Sequence, residues 1–195
     1  MSQAWTMNQP PNFSRLAGLY RWMEWASFGP WLGWCRCAFL TEVSACRNTV
    51  VFGDGDGRFT ARMLATNPTV QIEAVDASSA MLAALARRAR PNSARLRTSL
   101  ADARAWRPIS SLEIPAQERQ TYDLIVTHFF LDCLTTDEVR ALATKLRRVT
   151  SPSALWLVSE FAIPPTWFGR LVARPLVSAL YAAFALLTGL GVCRA

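Results

Sequence analysis

The sequence predicts a three-layer α/β sandwich, in which helices cover both faces of a parallel sheet of about five strands. The first observation is that strand-like and helix-like segments alternate along the chain, the order that parallel βαβ units require. The second is a glycine-rich turn directly after the first strand-like segment. The third is a length of 195 residues with 51% hydrophobic side chains, which suffices for one domain with a full core.

The predicted strands are short segments of apolar and β-branched residues. They cover residues 49–52, 70–75, 94–100, 122–127 and 154–159. Right-handed crossovers between them give a doubly wound sheet. In such a sheet a ligand binds in the crevice beyond the carboxyl ends of the strands, so residues that directly follow a strand are the candidate site residues.

Two of the helices between strands have recognisable ends. Ser78 is a predicted N-cap of a helix that Pro91 stops. Thr135 and Glu138 are predicted to form a capping box at the start of a second helix, before Pro152. The side chains predicted to face the core are Met81, Leu82 and Leu85 in the first helix and Val139, Leu142, Leu146 and Val149 in the second.

Two further segments flank this core within a single predicted domain, residues 1–195. Residues 12–46 are predicted to form a helical cap rich in tryptophan and phenylalanine, broken near Gly29 and Pro30. Residues 47–160 form the predicted core. Residues 161–195 carry a long apolar helix over 166–192, with a kink or interruption at Pro175.

The composition indicates a globular protein of the cytoplasm. The first dozen residues are polar and have no apolar stretch typical of a signal peptide. The five cysteines include no C-x-x-C pair, so we expect reduced thiols without a disulfide framework or a zinc site. No calcium loop is expected either, because a loop starting at Asp54 would need a glycine and a glutamate where Phe59 and Ala65 stand.

The net charge of +7 comes from arginine, since Lys145 is the only lysine. A cluster of arginines between the second and fourth strands has a single aromatic residue interleaved with it, Trp106, so we interpret it as a solvated basic edge and expect no nucleic-acid partner. Its members are Arg87, Arg88, Arg90, Arg95, Arg97, Arg104 and Arg107.

The strongest functional pattern is Gly53, Gly55 and Gly57 between the first strand and the next helix, with Asp54 after the first glycine. Glycines at such a turn allow positive φ and let a ligand approach the backbone at the start of a helix. A dinucleotide fingerprint would need a third glycine where Arg58 stands. The spacing therefore argues against a dinucleotide site.

Acidic residues follow the next two strands. Asp76 ends the second strand and could accept hydrogen bonds from both hydroxyls of a ribose, or could serve only to cap the helix after it. Asp102 and Ala103 follow the third strand, where an aspartate is also a common loop former.

Thr127, His128 and Phe129 follow the fourth strand. His128 is the only histidine, and it is either a general base or a residue that lines the site or packs in the core. The face of the Phe129 ring could cover a cationic group of a ligand.

From about Phe13 to Ile163 the chain resembles class I S-adenosylmethionine-dependent methyltransferases, and within them the small-molecule enzymes of the ubiquinone/menaquinone C-methyltransferase type. The resemblance implies a Rossmann-like fold, S-adenosylmethionine as cofactor and a small, apolar methyl acceptor. It rests on the glycine motif, the segment from Val75 to Leu82, and Asp102. The implied cofactor-binding residues are Tyr20, Gly53, Asp54, Gly55, Gly57, Asp76, Ala77, Met81, Asp102, Ala103, Thr127 and Phe129, with His128 as the candidate catalytic residue.

The chain departs from this family in two places. Val51 occupies a position that is usually acidic, a role that Asp54 could take over. No antiparallel strand hairpin is recognisable after Ser159, so the fifth strand is predicted to be an edge, covered by the 166–192 helix or by another chain. A homodimer would form through the C-terminal helix or through this edge strand.

These departures keep alternatives open. One is a non-catalytic module that binds S-adenosylmethionine. Another is a membrane-associated protein with a peripheral contact or a span, because residues 175–192 carry no charge. Methylation of nucleic-acid bases is not expected, since no Asn/Asp-Pro-Pro-Tyr/Phe motif follows the fourth strand.

Overall fold

The computed structural model of the chain describes residues 30–108, 121–162, 165–167, 170–171, 174–175 and 177–179. Its helices are α1 (Trp31–Cys37), α2 (Arg58–Thr66), α3 (Ser79–Arg88) and α4 (Thr136–Arg147). Its strands are β1 (Asn48–Phe52), β2 (Gln71–Asp76), β3 (Leu96–Leu100), β4 (Tyr122–His128) and β5 (Thr150–Ser159). Two 3₁₀ helices, Arg90–Arg95 and Leu131–Cys133, lie before β3 and after β4.

The five strands form one parallel sheet in the order β3-β2-β1-β4-β5, which confirms the predicted α/β class and strand number. The strand order reverses between β1 and β4, which pair side by side at the centre. Phe52 at the end of β1 is in register with Val75 and with Thr127. The segments after β1, β2 and β4 therefore leave the sheet at the same edge, where this topology places its ligand crevice.

Alternate residues of β1 supply the two halves of the core. Val51 packs on the face covered by α2, together with Phe59 and Met63. Val50 and Phe52 point to the opposite face. That face is filled by Trp106, Tyr122, Ile125, Leu142 and Leu146. Helices on both faces of the sheet give the predicted three layers.

The predicted helix ends are confirmed at both capped helices. The Ser78 hydroxyl accepts a hydrogen bond from the Met81 amide at 3.3 Å, and α3 begins at the next residue. Thr135 and Glu138 form the complete capping box at the start of α4. The predicted core-facing residues are buried or partly buried in both helices.

Two strand starts differ from the prediction by two residues or more. β5 begins at Thr150, four residues before the predicted 154, and includes Pro152. A proline is tolerated there because β5 pairs on one side only within the described residues, so a missing N–H interrupts no second ladder. β3 begins at Leu96, because the preceding residues form the 3₁₀ helix that ends with Arg95.

The flanking segments are described in part. α1 begins directly after Pro30, and residues 12–29 lie outside the described residues. Residues 167, 170–171, 174–175 and 177–179 have helical backbone. The rest of the helix predicted over 166–192 lies outside the described residues, so the long helix and the absence of the hairpin stay predictions. Within the described parts of the chain, no helix is long and apolar enough to cross a membrane.

Candidate functional site

The glycine turn after β1 is held in a left-handed backbone conformation, with φ of 66° at Gly53, 58° at Gly55 and 79° at Gly57. A Cβ on Gly57 would lie 2.7 Å from the Cα of Leu85, so α3 packs directly against this glycine. Among the described residues, none has an atom within 4 Å of a Cβ built on Gly55. The turn therefore exposes open backbone at Gly55, where a ligand can approach.

Asp54 is buried inside this turn. Its Oδ2 accepts a hydrogen bond from the Thr60 amide at 2.8 Å, near the start of α2. Its Oδ1 is buried and has no hydrogen-bond partner among the described residues. Burial raises the pKa of the Asp54 carboxyl above its usual range. An unpaired buried oxygen at this position is an acceptor for a donor group of a ligand.

Asp76 ends β2 beside the glycine turn. Its Oδ1 accepts a hydrogen bond from the Ser78 amide at 2.8 Å, and Oδ2 makes no hydrogen bond within the described residues. Burial raises the pKa of Asp76 to about 6, and the charge of Asp54 contributes to this rise. Ala77 follows directly, and Met81 is buried below it in α3.

Asp102 is engaged by the protein itself. Its two oxygens accept hydrogen bonds from the Arg104 amide at 2.8 Å and from the Arg104 guanidinium at 2.9 Å. The same guanidinium binds Glu138 at 2.6 Å. The neighbouring Ala103 is buried. Leu100 at the end of β3 is 62% exposed and in register with Asp76, so an apolar surface lies beside that carboxylate.

His128 is buried at the end of β4. Its Nδ1 lies 2.9 Å from the Ser159 hydroxyl, and its ring contacts Phe59 edge-on with a centroid distance of 4.8 Å. Burial, assisted by the positive charge of Arg36, lowers the pKa of His128 to about 4. The imidazole is therefore neutral at pH 7 and a weak base. Thr127 before it is buried and accepts a hydrogen bond from the indole of Trp156 at 3.0 Å.

Phe129 has a φ of 53°, the one positive value at a residue other than glycine in the described ranges. Bulky side chains rarely adopt this conformation, and it is often found at functional sites. The guanidinium of Arg36 lies 5.2 Å from the centroid of the Phe129 ring. The ring thus meets a side-chain cation of the protein, and its contact with a cationic group of a ligand stays a prediction.

Arg36 was missed by sequence reasoning, although it is the single charged residue of α1. It is only 8% exposed, and its charge affects the pKa values of both Asp54 and His128. It therefore brings a positive charge to the edge where β1 and β4 end. Tyr20, the candidate predicted from the same N-terminal segment, lies outside the described residues.

Val51, which occupies the usually acidic position, is buried in the core beneath α2. Glu160 was also missed as a candidate. It follows β5, and its Oε1 accepts hydrogen bonds from the amides of Phe130 and Leu131. Glycine spacing and strand order revealed the residues of β1 and β2, whereas Arg36 and Glu160 reach the site from distant parts of the chain.

Solved structures of methyltransferases share this fold. The chain is 18% identical to DhpI in a complex with SAH, with a TM-score of 0.53, and the match covers 74% of this chain and 63% of DhpI. For the N-methyltransferase NodS from Bradyrhizobium japonicum in complex with S-adenosyl-L-homocysteine, the identity is 17%, the TM-score 0.55 and the coverage 75% and 72%. The chain is 15% identical to the mitomycin 7-O-methyltransferase MmcR, with a TM-score of 0.61, and the match covers 91% of this chain and 54% of MmcR.

The chain thus spans less than two thirds of the length of DhpI and of MmcR. No curated protein matches the sequence significantly. A family model described as a methyltransferase domain matches residues 50–153, from β1 into β5. Because this match covers more than half of the 195 residues, the chain belongs to the methyltransferase domain family.

Proposed function

We propose that the chain is an S-adenosylmethionine-dependent methyltransferase acting on a small, apolar acceptor. One observation carries the proposal. The open backbone at Gly55 lies at the same sheet edge as two carboxyl oxygens without partners, one on Asp54 and one on Asp76. A ligand that fits this surface must offer several hydrogen-bond donors near a flat apolar group.

The groups of S-adenosylmethionine fit these residues. Asp76 would accept hydrogen bonds from the ribose hydroxyls, and Leu100 beside it would contact the adenine. The unpaired Oδ1 of Asp54 would accept a hydrogen bond from the ammonium group. Arg36 would attract the carboxylate, since opposite charges are favoured at a buried edge. We also propose cofactor contacts for Tyr20, Ala77, Met81, Asp102 and Ala103, as the family resemblance implies.

When bound, the cofactor supplies a methyl group that is already activated on its sulfonium. The protein must then orient the acceptor and exclude water, which can supply most of the acceleration. Phe129 and Phe161, whose ring centroids are 4.7 Å apart, would offer an apolar surface to an acceptor of the quinone type. For His128 we propose a lining role next to Thr127, because a neutral imidazole with a pKa of about 4 is a poor proton acceptor.

No observation on the described residues favours a non-catalytic or membrane-associated module over this function. We also propose a homodimer through the C-terminal helix or through β5, on which Leu155 and Val158 are 49% and 44% exposed.

Calorimetric titration with S-adenosylmethionine and S-adenosylhomocysteine tests the proposal. We expect micromolar binding, and a Kd at least about tenfold higher in Asp76→Ala, because charge-assisted hydrogen bonds are worth about 1.5–3 kcal/mol. Asp137→Ala removes the same charge from the exposed surface of α4 and should leave the Kd unchanged. A folded, monodisperse protein that binds neither compound would overturn the function, and unchanged binding by Asp76→Ala would overturn the site.

A further inference from the structure

The hydrogen-bond ladder between β4 and β5 continues beyond the last residues of both strands. His128 and Ser159 are the final pair of the sheet register. Beyond them, the Phe129 amide donates to the Ser159 carbonyl at 2.7 Å, and the Ser159 hydroxyl lies 2.9 Å from His128 Nδ1. The last residue of β5 thus holds both the last residue of β4 and the first residue after it.

Glu160 extends this contact with its side chain. One carboxylate oxygen, Oε1, accepts hydrogen bonds from the Phe130 amide at 3.1 Å and from the Leu131 amide at 2.8 Å. The other oxygen, Oε2, is buried and has no partner in the described part of the chain. A carboxylate that accepts two consecutive backbone amides fixes the orientation of both peptide groups.

The turn that Glu160 fixes, residues 129–131, has an unfavourable backbone conformation. Phe129 has its φ of 53° directly before the two amides that Glu160 binds. A phenylalanine keeps this conformation only where surrounding contacts enforce it. The hydrogen bonds to Glu160 hold the amides of the two residues that follow Phe129, so they stabilise the strained turn.

The 129–131 turn packs against the glycine loop. The Phe130 ring lies so close to Gly53 that a Cβ there would be 2.5 Å from its Cδ2, and it stacks on Phe52 with a centroid distance of 6.1 Å. The ring of Phe129 lies under the guanidinium of Arg36. Displacing the turn would move both rings away from these partners.

We propose that Glu160 is a positioning residue of the cofactor site, which acts by holding the 129–131 turn against Gly53 and Arg36. This inference rests on the proposed function for the identity of the ligand. The residues proposed to hold the adenosine, Asp76 and Leu100, end β2 and β3, and β1 lies between these strands and the strand β4 that leads into the turn. Glu160 therefore affects the binding of the amino-acid part of the cofactor and leaves the adenosine part unaffected.

The test compares wild-type protein with Glu160→Ala and Glu160→Gln by titration with two ligands. S-adenosylhomocysteine carries the amino-acid part, and 5′-methylthioadenosine lacks it. We expect Glu160→Ala to raise the Kd for S-adenosylhomocysteine about tenfold, the typical effect of a lost charge-assisted contact, and the Kd for methylthioadenosine less than about twofold. Glutamine keeps a carbonyl oxygen for both amides, so Glu160→Gln should restore binding to within about threefold.

Glu42→Ala, at an exposed glutamate after α1, is the control for loss of an acidic side chain. Equal weakening of both ligands by Glu160→Ala, or no weakening of either, would overturn the inference. Failure of the wild-type protein to bind S-adenosylhomocysteine would instead overturn the proposed function.

A second measurement does not depend on ligand binding. Glycine adopts positive φ without strain, so in Phe129→Gly protein the turn needs less support from Glu160. We expect the loss of unfolding free energy caused by Glu160→Ala to shrink at least about twofold in the Phe129→Gly background, as for coupled neighbours. Equal losses in both backgrounds would show that Glu160 does not hold the turn.

Discussion

At Gly57 the backbone φ is 79°, and a Cβ would lie 2.5 Å from Leu85 Cγ and 2.7 Å from Leu85 Cα. At Gly55 the φ of 58° is equally unusual, but no atom of the described residues lies within 4 Å of a Cβ built there. The two positions therefore separate the conformational role of a glycine from its packing role. The Gly-x-Gly-x-Gly spacing predicts that both positions need glycine, but it does not show which of the two roles each glycine has.

Replacing these glycines by alanine should lower stability by different amounts. Gly55→Ala should lower the unfolding free energy by about 1–2 kcal/mol, the cost of a left-handed backbone for alanine. Gly57→Ala should cost about 2–5 kcal/mol, because overpacking adds about 1–3 kcal/mol. Urea unfolding measures both values. Equal losses would mean that α3 moves away from Gly57 without cost.

Among single residues, those fixed by local sequence could be predicted and those fixed by tertiary contact could not. Gly53, Gly57 and Asp76 follow strands at recognisable spacings. Arg36 is a single arginine in an apolar helix, and nothing near it in the sequence shows that it will be buried at the ends of β1 and β4. The position of Asp102 after β3 could be predicted from the sequence, but its ion pair with Arg104 could not.

At the scale of elements, Glu73 on β2 joins several parts of the sheet. Its buried carboxylate accepts hydrogen bonds from Ser99 on β3 at 2.8 Å, from the indole of Trp106 at 2.9 Å, and from the hydroxyl of Tyr122 on β4. Trp106 belongs to the segment that carries Asp102. The carboxylate therefore fixes this segment to the sheet, next to the proposed adenine position.

Glu73→Ala should be strongly destabilising, because it removes the buried acceptor that the Trp106 indole and the Tyr122 hydroxyl share. Unsatisfied buried groups cost about 1–3 kcal/mol each, so we expect a loss of about 2–5 kcal/mol of unfolding free energy. Chemical unfolding followed by circular dichroism measures it. Exposed Glu42→Ala should change stability by less than about 0.5 kcal/mol. A loss at Glu73 no larger than this control would contradict the role of the carboxylate.

The elements whose ends depend on local interactions were predicted well. The capped starts of α3 and α4 follow from Ser78 and from Thr135, since capping bonds span only three residues. The start of β3 depends instead on Arg95, whose guanidinium binds the carbonyls of Leu64 and Asn67 at the end of α2. Such contacts between distant segments are not visible in local patterns.

At the scale of the whole molecule, six of the seven arginines of the predicted basic edge are exposed, and some of them also form ion pairs. Arg88 pairs with Asp56 of the glycine turn at 2.7 Å, and Arg104 pairs with Asp102 and Glu138. Together with Arg95, these side chains link segments around the sheet edge instead of facing only solvent. Part of the net charge of +7 thus supports the site.

Two buried groups of the site titrate in opposite senses. Between the ordinary carboxyl pKa of 3.8 and about 6, the folded protein binds a proton at Asp76 that the unfolded chain releases, so stability falls as pH rises. Between about 4 and 6.5, the unfolded chain binds a proton at His128 that the folded protein does not, so stability rises with pH. The raised pKa values of Asp54 and Glu160 act in the same sense as Asp76.

Because these effects offset each other, removing the histidine in His128→Asn should expose the pH dependence of stability that comes from the carboxyl groups. From pH 4.5 to 6, we expect the unfolding free energy of this variant to fall with rising pH more steeply than that of the wild type. The two slopes should differ by up to about 1.4 kcal/mol per pH unit, the maximum for one titrating group. Asp76→Asn should shift the slope in the opposite direction. Urea unfolding at several pH values measures all three slopes, and parallel curves for wild type and His128→Asn would show that His128 titrates alike in the folded and unfolded states.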